Sequence, residues 1–102
     1  MNVEDVKREI AKRIKSGSFS FKERSNDINI SFFERINILN LELINESNFE
    51  YQFSGVVKVH IADKSTDGGV FFSPSRSRIE GQAIIRDDTG IEIMEPIIIE
   101  NL

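Results

Sequence analysis

Cysteine is absent from this chain of 102 residues, which excludes disulfides, zinc–thiolate sites and thiol nucleophiles. Histidine occurs once, at His60, so a catalytic imidazole would need a serine or carboxylate partner that the sequence does not single out. A solvent-facing strand histidine is the simpler reading. No stretch approaches the ~18 apolar residues of a membrane-spanning helix, and Met1-Asn2-Val3-Glu4-Asp5 is charged from the start, unlike a secretory signal. A soluble, cytoplasmic protein without membrane contact is expected. Basic residues are missing from Asp87 onward, where Asp87, Asp88, Glu92, Glu95 and Glu100 stand alone. The opposite bias holds up to Arg24, with seven cations against four acids, although the net charge is −4. Such a basic start and acidic finish bear on partners rather than on fold.

What the chain does have is alternation. From Phe49 to Ile61 the odd positions are apolar apart from Gly55, and the even ones are polar except Val56. A period of two describes a strand with one dry and one wet face. The same parity returns at Ile79, Gly81, Ala83 and Ile85, and again at Ile91, Ile93, Ile97 and Ile99. Ahead of the strands, Val3, Val6, Ile10 and Ile14 recur at helical spacing behind the capping residue Asn2, and Ser16-Gly17 supplies the stop, with Gly17 suited to a left-handed cap. A helix is predicted over 3–16, with Arg8, Lys12 and Lys15 gathered opposite its apolar stripe.

The parity of apolar residues changes within the next segment. Ile28, Ile30, Phe32, Ile36 and Ile38 are even, whereas Leu39, Leu41 and Leu43 are odd, so a β-bulge is predicted near Ile38-Leu39. A hairpin loop at Glu46-Ser47-Asn48, with Asn48 left-handed, sets Leu43 opposite Tyr51, Leu41 opposite Phe53 and Leu39 opposite Gly55. Glycine there would let the partner strand bend. A second hairpin, closed by Asp88-Thr89-Gly90, sets Ile85 opposite Ile93, Ile79 opposite Ile99 and Ile84 opposite Met94. Pro96 suggests that the last strand is at an edge or that its N–H side is free, and Val70-Phe71-Phe72 reads as a short strand or flap within a long loop.

The fold expected is α+β: one N-terminal helix on a strongly curved antiparallel sheet of five to six strands, in one domain over 1–102. The strands are placed at about 18–24, 28–44, 49–61, 70–72, 78–87 and 91–99. The outline is similar to cystatin-like and other helix-cradling sheets, a likeness of architecture that implies no function.

Several residue groups are candidates for chemistry. Glu34 and Glu95 fall on the core parity of their strands, where two inward carboxylates would serve as acid and base or anchor a ligand. Asp63 to Val70 partly mimics a calcium loop, but Pro74 stands where the bidentate glutamate belongs, so neither a metal nor a cofactor is expected. Arg76 and Arg78, in a short arginine–serine segment, join Arg8, Lys12 and Lys15 as possible phosphate contacts. Ile84, Met94, Ile98 and Val56 lie on the face that should be wet, which suggests an interface. The function favoured is a non-enzymatic protein-binding module (an inhibitor, immunity-type protein, adaptor or assembly subunit) bound to itself or to another protein. The alternatives are a pocket protein or small enzyme using Glu34 and Glu95, and a nucleic-acid binder using the helix.

Overall fold

The computed structural model describes residues 2–64, 70–86 and 90–101. Helix α1 (Val3–Ser16) begins where expected, with the Asp5 N–H donating to Asn2 Oδ1 at 2.8 Å. At its other end the Gly17 N–H donates to the Arg13 carbonyl at 2.9 Å, but Gly17 has φ −96° and is not left-handed. Glycine is required there for space. A Cβ would stand 2.7 Å from the Phe19 ring and 2.8 Å from the Arg13 carbonyl oxygen. Val6, Ile10 and Ile14 are buried, whereas Val3 is 55% exposed and lies outside the packed stripe.

Seven strands follow: β1 (Phe21–Glu23), β2 (Asn26–Ile28), β3 (Ile30–Asn45), β4 (Glu50–Lys64), β5 (Val70–Arg86), β6 (Gly90–Ile93) and β7 (Ile97–Asn101). They join in the order β2-β1-β7-β5-β4-β3, with β6 on β5 beside β7. The β1–β7 pair is parallel, so the sheet is mixed. The expectation of a strongly curved antiparallel sheet of five to six strands is therefore corrected: the sheet has seven strands and is neither strongly curved nor closed. The α+β class and the largely antiparallel pairing stand.

The physical reason lies in β3. The bulge foreseen near Ile38-Leu39 is present, and Leu41 and Leu43 pair with Phe53 and Tyr51 as predicted, with Ile38 rather than Leu39 opposite Gly55. Three further shifts follow Ile30, Phe33 and Leu43. All four extra residues fall in β3, an edge strand, and none perturbs the next ladder. β4 pairs with β5 without a break from Glu50↔Ile84 to Lys64↔Val70. An irregularity confined to an edge bends that edge and leaves the sheet behind it open. The ladder also replaces most of the long loop expected after Asp63, since Val70 opens a seventeen-residue strand.

Two other expectations change. The left-handed residue after the β3 hairpin is Phe49, at φ 54°, instead of Asn48. The final hairpin keeps Ile79↔Ile99, and Gly90 has the positive φ (96°) expected of a loop-closing glycine. Near the loop, however, Ile85 meets Ile91 and Ile84 meets Glu92, two residues from the predicted register. A shift of two preserves the faces, and Met94-Glu95-Pro96 absorbs it between β6 and β7. Pro96 thus marks a break rather than an edge, and β7 lies between β5 and β1. Asp88 and Thr89 lie outside the described residues, as does most of the calcium-like segment.

The core sits between α1 and one face of the sheet. Ile10, Phe53, Val59, Ile79, Ala83, Ile97 and Ile99 have no exposed surface. Each fully buried large side chain contributes about 1.5–3 kcal/mol relative to exposure. The odd residues of β4 up to Ile61 and of β5 from Ser77 onward therefore face α1, and the even ones face away from it.

Candidate functional site on the outer face

Away from α1, the register places side chains in rows that cross the strands. Arg35 pairs with Lys58 and Lys58 with Arg76, which sets three cations side by side across β3, β4 and β5. Arg78 stands one row further on, opposite Val56 on one flank and Glu100 on the other. Arg35, Asn37, Val56, Lys58 and Arg76 line a shallow cleft of about 130 Å³. Like charges at directly opposed strand positions repel, so this row is an unfavourable arrangement for an isolated sheet.

Glu34 is the counter-charge nearest to the row. It is the extra residue of the bulge between Phe33 and Arg35, which turns it to the outer face. Its Oε2 lies 3.1 Å from Lys58 Nζ and 3.8 Å from His60 Nε2, the second contact being an ion pair only when the imidazole is protonated. The hydrogen bond from Lys58 holds the Glu34 carboxyl below its ordinary value of 4.5, with smaller help from the charges of His60 and Arg35. Beside it, the half-exposed ring of Phe32 stacks on His60, with centroids 4.1 Å apart and planes 13° from parallel. His60 is thus held between a phenyl ring and a carboxylate.

Toward the other end of the same face the sign reverses. Glu42 pairs with Gln52, Glu50 with Ile84, and Ile84 with Glu92. Between the two ends, Gln52 Nε2 donates to Glu80 Oε1 at 2.9 Å. Neither half is pure, for Glu34 and Glu100 lie in the basic half and Arg86 lies at the acidic end.

The four predicted interface residues all lie on this outer side. Met94 and Ile98 flank a cleft with Glu80, Gln82 and Pro96, and Met94 is 38% exposed. Ile84 stands between Glu50 and Glu92, and Val56 sits among the cations, so the four share a face without forming one apolar patch. Glu34 and Glu95 are not brought together. Glu95 follows β6, where its Oε1 accepts the Ser20 N–H at 2.6 Å, and β5 and β4 separate it from Glu34. The expected phosphate contacts also divide. Arg76 and Arg78 belong to the outer face, while Arg8, Lys12 and Lys15 belong to the helix on the opposite side of the sheet. There Arg8 Nη2 already lies 3.0 Å from Asp5 Oδ1.

Arg35, Lys58 and Phe32 were missed by sequence reasoning. Their grouping depends on the Glu34 bulge, and the adjacent pair Phe32-Phe33, of which only Phe33 is buried, is the one local sign of it. No family model matches the chain, and neither a curated protein nor a solved structure shows significant similarity to it. Among the described residues, no helix is long and apolar enough to cross a membrane.

Proposed function

We propose that this chain is a non-enzymatic protein-binding module whose docking surface is the outer face of the sheet. The observation that carries the reading is the asymmetry of covering. The helix buries most of one face, leaving Leu43 exposed toward the β3–β4 hairpin, while the other bears Phe32, Val56, Ile84, Met94 and Ile98 under no second layer among the described residues. A non-obligate interface is only about as apolar as the rest of a protein surface, so a face that mixes apolar side chains with charges of both signs is compatible with docking. Separation of Glu34 from Glu95, and the ion pairs that occupy Glu34, weigh against the two-carboxylate reading. Division of the cations between two sides of the sheet weighs against a helix-based nucleic-acid surface.

Photo-crosslinking in the native host tests the proposal. A photoreactive residue at position 98 is expected to give an adduct of discrete mass. The same residue at position 3, exposed on the helix, should give none. Absence of an adduct at position 98, or equal adducts at both positions, would contradict the reading.

A further inference from the structure

The row Arg35–Lys58–Arg76 carries more positive charge than Glu34 neutralises. Among the described residues no carboxylate lies within ion-pair distance of Arg35 or Arg76. The acidic end of the same face does not relieve the row. Lys58 and Glu50 are eight residues apart on β4, about 26 Å at 3.3 Å per residue, or roughly three Debye lengths at physiological salt. No described residue supplies the missing counter-charge, and the face itself carries the complement at its other end.

With their strands aligned, two copies can oppose their outer faces about a two-fold axis lying between them in one of two ways. An axis along β4 sets Lys58 over its own equivalent and Arg35 over Arg76 of the second copy, which is repulsive. An axis across the strands, passing near Ser54 and Glu80, reverses the rows and sets Lys58 over Glu50 of the second copy, Arg76 over Ile84 between Glu50 and Glu92, and Arg35 over Asn45, at both ends at once. Charge therefore selects between the two arrangements. Size permits the selected one. From row 50 to row 58, the rows that the axis exchanges, the face extends about 26 Å along β4 and about 19 Å across four strands. The resulting footprint, on the order of 500 Å² per partner, gives about 1,000 Å² in total, the lower bound for a specific interface. Pairing through the exposed edge is less favourable, because the four irregularities of β3 interrupt the row of free backbone groups that edge pairing needs.

We infer that the partner of the outer face is a second copy of this chain, stacked face to face with its strands antiparallel so that the basic half of each copy covers the acidic half of the other. This inference rests on the proposed docking role of that face. Val56, Ile98 and Met94 then fall near the middle of the contact, and the charged rows fall toward its ends, where they set orientation more than affinity.

A charge exchange tests it by sedimentation equilibrium on the full chain, with far-UV circular dichroism as a check of folding. Wild type is expected to dimerise, more weakly as salt rises from about 0.05 to about 0.5 M. Lys58→Glu and Glu50→Lys should each weaken dimerisation at least tenfold, and the double variant should recover most of the loss. A dimer that both single variants leave intact, or that the double variant fails to rescue, would overturn the antiparallel arrangement. A wild type that stays monomeric to about 100 µM would overturn self-pairing. In that case a crosslink from position 98 to a different protein, or tight binding of a single-stranded oligonucleotide lost in Lys58→Glu, would identify the other source of counter-charge. Failure of the docking role itself shows differently, as the absence of any crosslink from position 98.

Discussion

The two faces of the sheet are made by the same strands, often by neighbouring residues, yet they behave as different materials. On the face toward α1, Phe53, Val59, Ile79, Ala83, Ile97 and Ile99 are wholly buried, and among the described residues the only buried polar side chain is Ser77, whose Oγ lies 3.4 Å from Asn101 Oδ1. On the outer face, one residue away along each strand, apolar groups are isolated among charges. Ile98 pairs with Glu80 and Lys22, while Ile99 beside it pairs with Ile79 and is fully buried. The contrast separates two meanings of an apolar residue in a strand. Where apolar residues repeat at every second position, the chain supplies their cover. Where they are scattered, the cover is supplied by water or by another molecule.

Truncations should expose this contrast most strongly. Phe53→Ala, which empties the space beneath Gly81, is expected to destabilise the fold by about 3–5 kcal/mol, whereas Val56→Ala on the outer face should stay below about 1 kcal/mol. Chemical denaturation of purified protein measures both. Comparable losses would mean that the outer face is as much a core as the inner one. Gly55→Ala comes next. A methyl at Gly55 would overlap the Asn37 carbonyl of β3, so the bulged edge must shift, with an expected loss of about 1–3 kcal/mol. A neutral result would place the β3 backbone further from Gly55 than the register implies.

Smaller effects sharpen the comparison at its margins. Asn2→Ala removes the cap of the helix that covers the inner face and is expected to lower the stability by about 1 kcal/mol in thermal or denaturant melts. Glu34→Gln concerns the outer face alone. Because the folded-state value for Glu34 is lowered, its ionised form favours the folded state above pH 4.5, and that contribution is lost as pH falls through the lowered value. The stability gap between wild type and Glu34→Gln should thus be small near neutrality and close on acidification. A gap that widens in acid would reverse the assigned sign.

Much of the fold was legible because burial writes itself as periodicity. The helix, its Asn2 cap, the faces of β4 and β5, and the bulge near Leu39 all follow from parity that had to satisfy a single core. What escaped was backbone detail that parity does not record. The register shift of two residues absorbed at Met94-Glu95-Pro96 leaves every face unchanged, so the predicted register of the last hairpin was correct at Ile79 and wrong at Ile85. The parallel β1–β7 pair joins segments far apart in sequence and leaves no local mark. At the outer face the difficulty was sharper. One extra residue at Glu34 moved a carboxylate from the inner face, where the pattern placed it, to a position between Lys58 and His60. The same residue brought Arg35 into line with Lys58 and Arg76. Edge strands tolerate such insertions because only one neighbour must accommodate them.

The most direct test of the claim that the outer face is an uncovered docking surface compares two adjacent substitutions, Ile98→Asp and Ile99→Asp, by sedimentation velocity with a folding check. Ile99→Asp buries an unpaired carboxylate in the core and is expected to abolish folding. Ile98→Asp should leave the secondary structure and melting behaviour close to wild type while converting the associated protein to monomer. Unfolding by both substitutions, or a folded Ile98→Asp protein that associates as wild type does, would contradict the account.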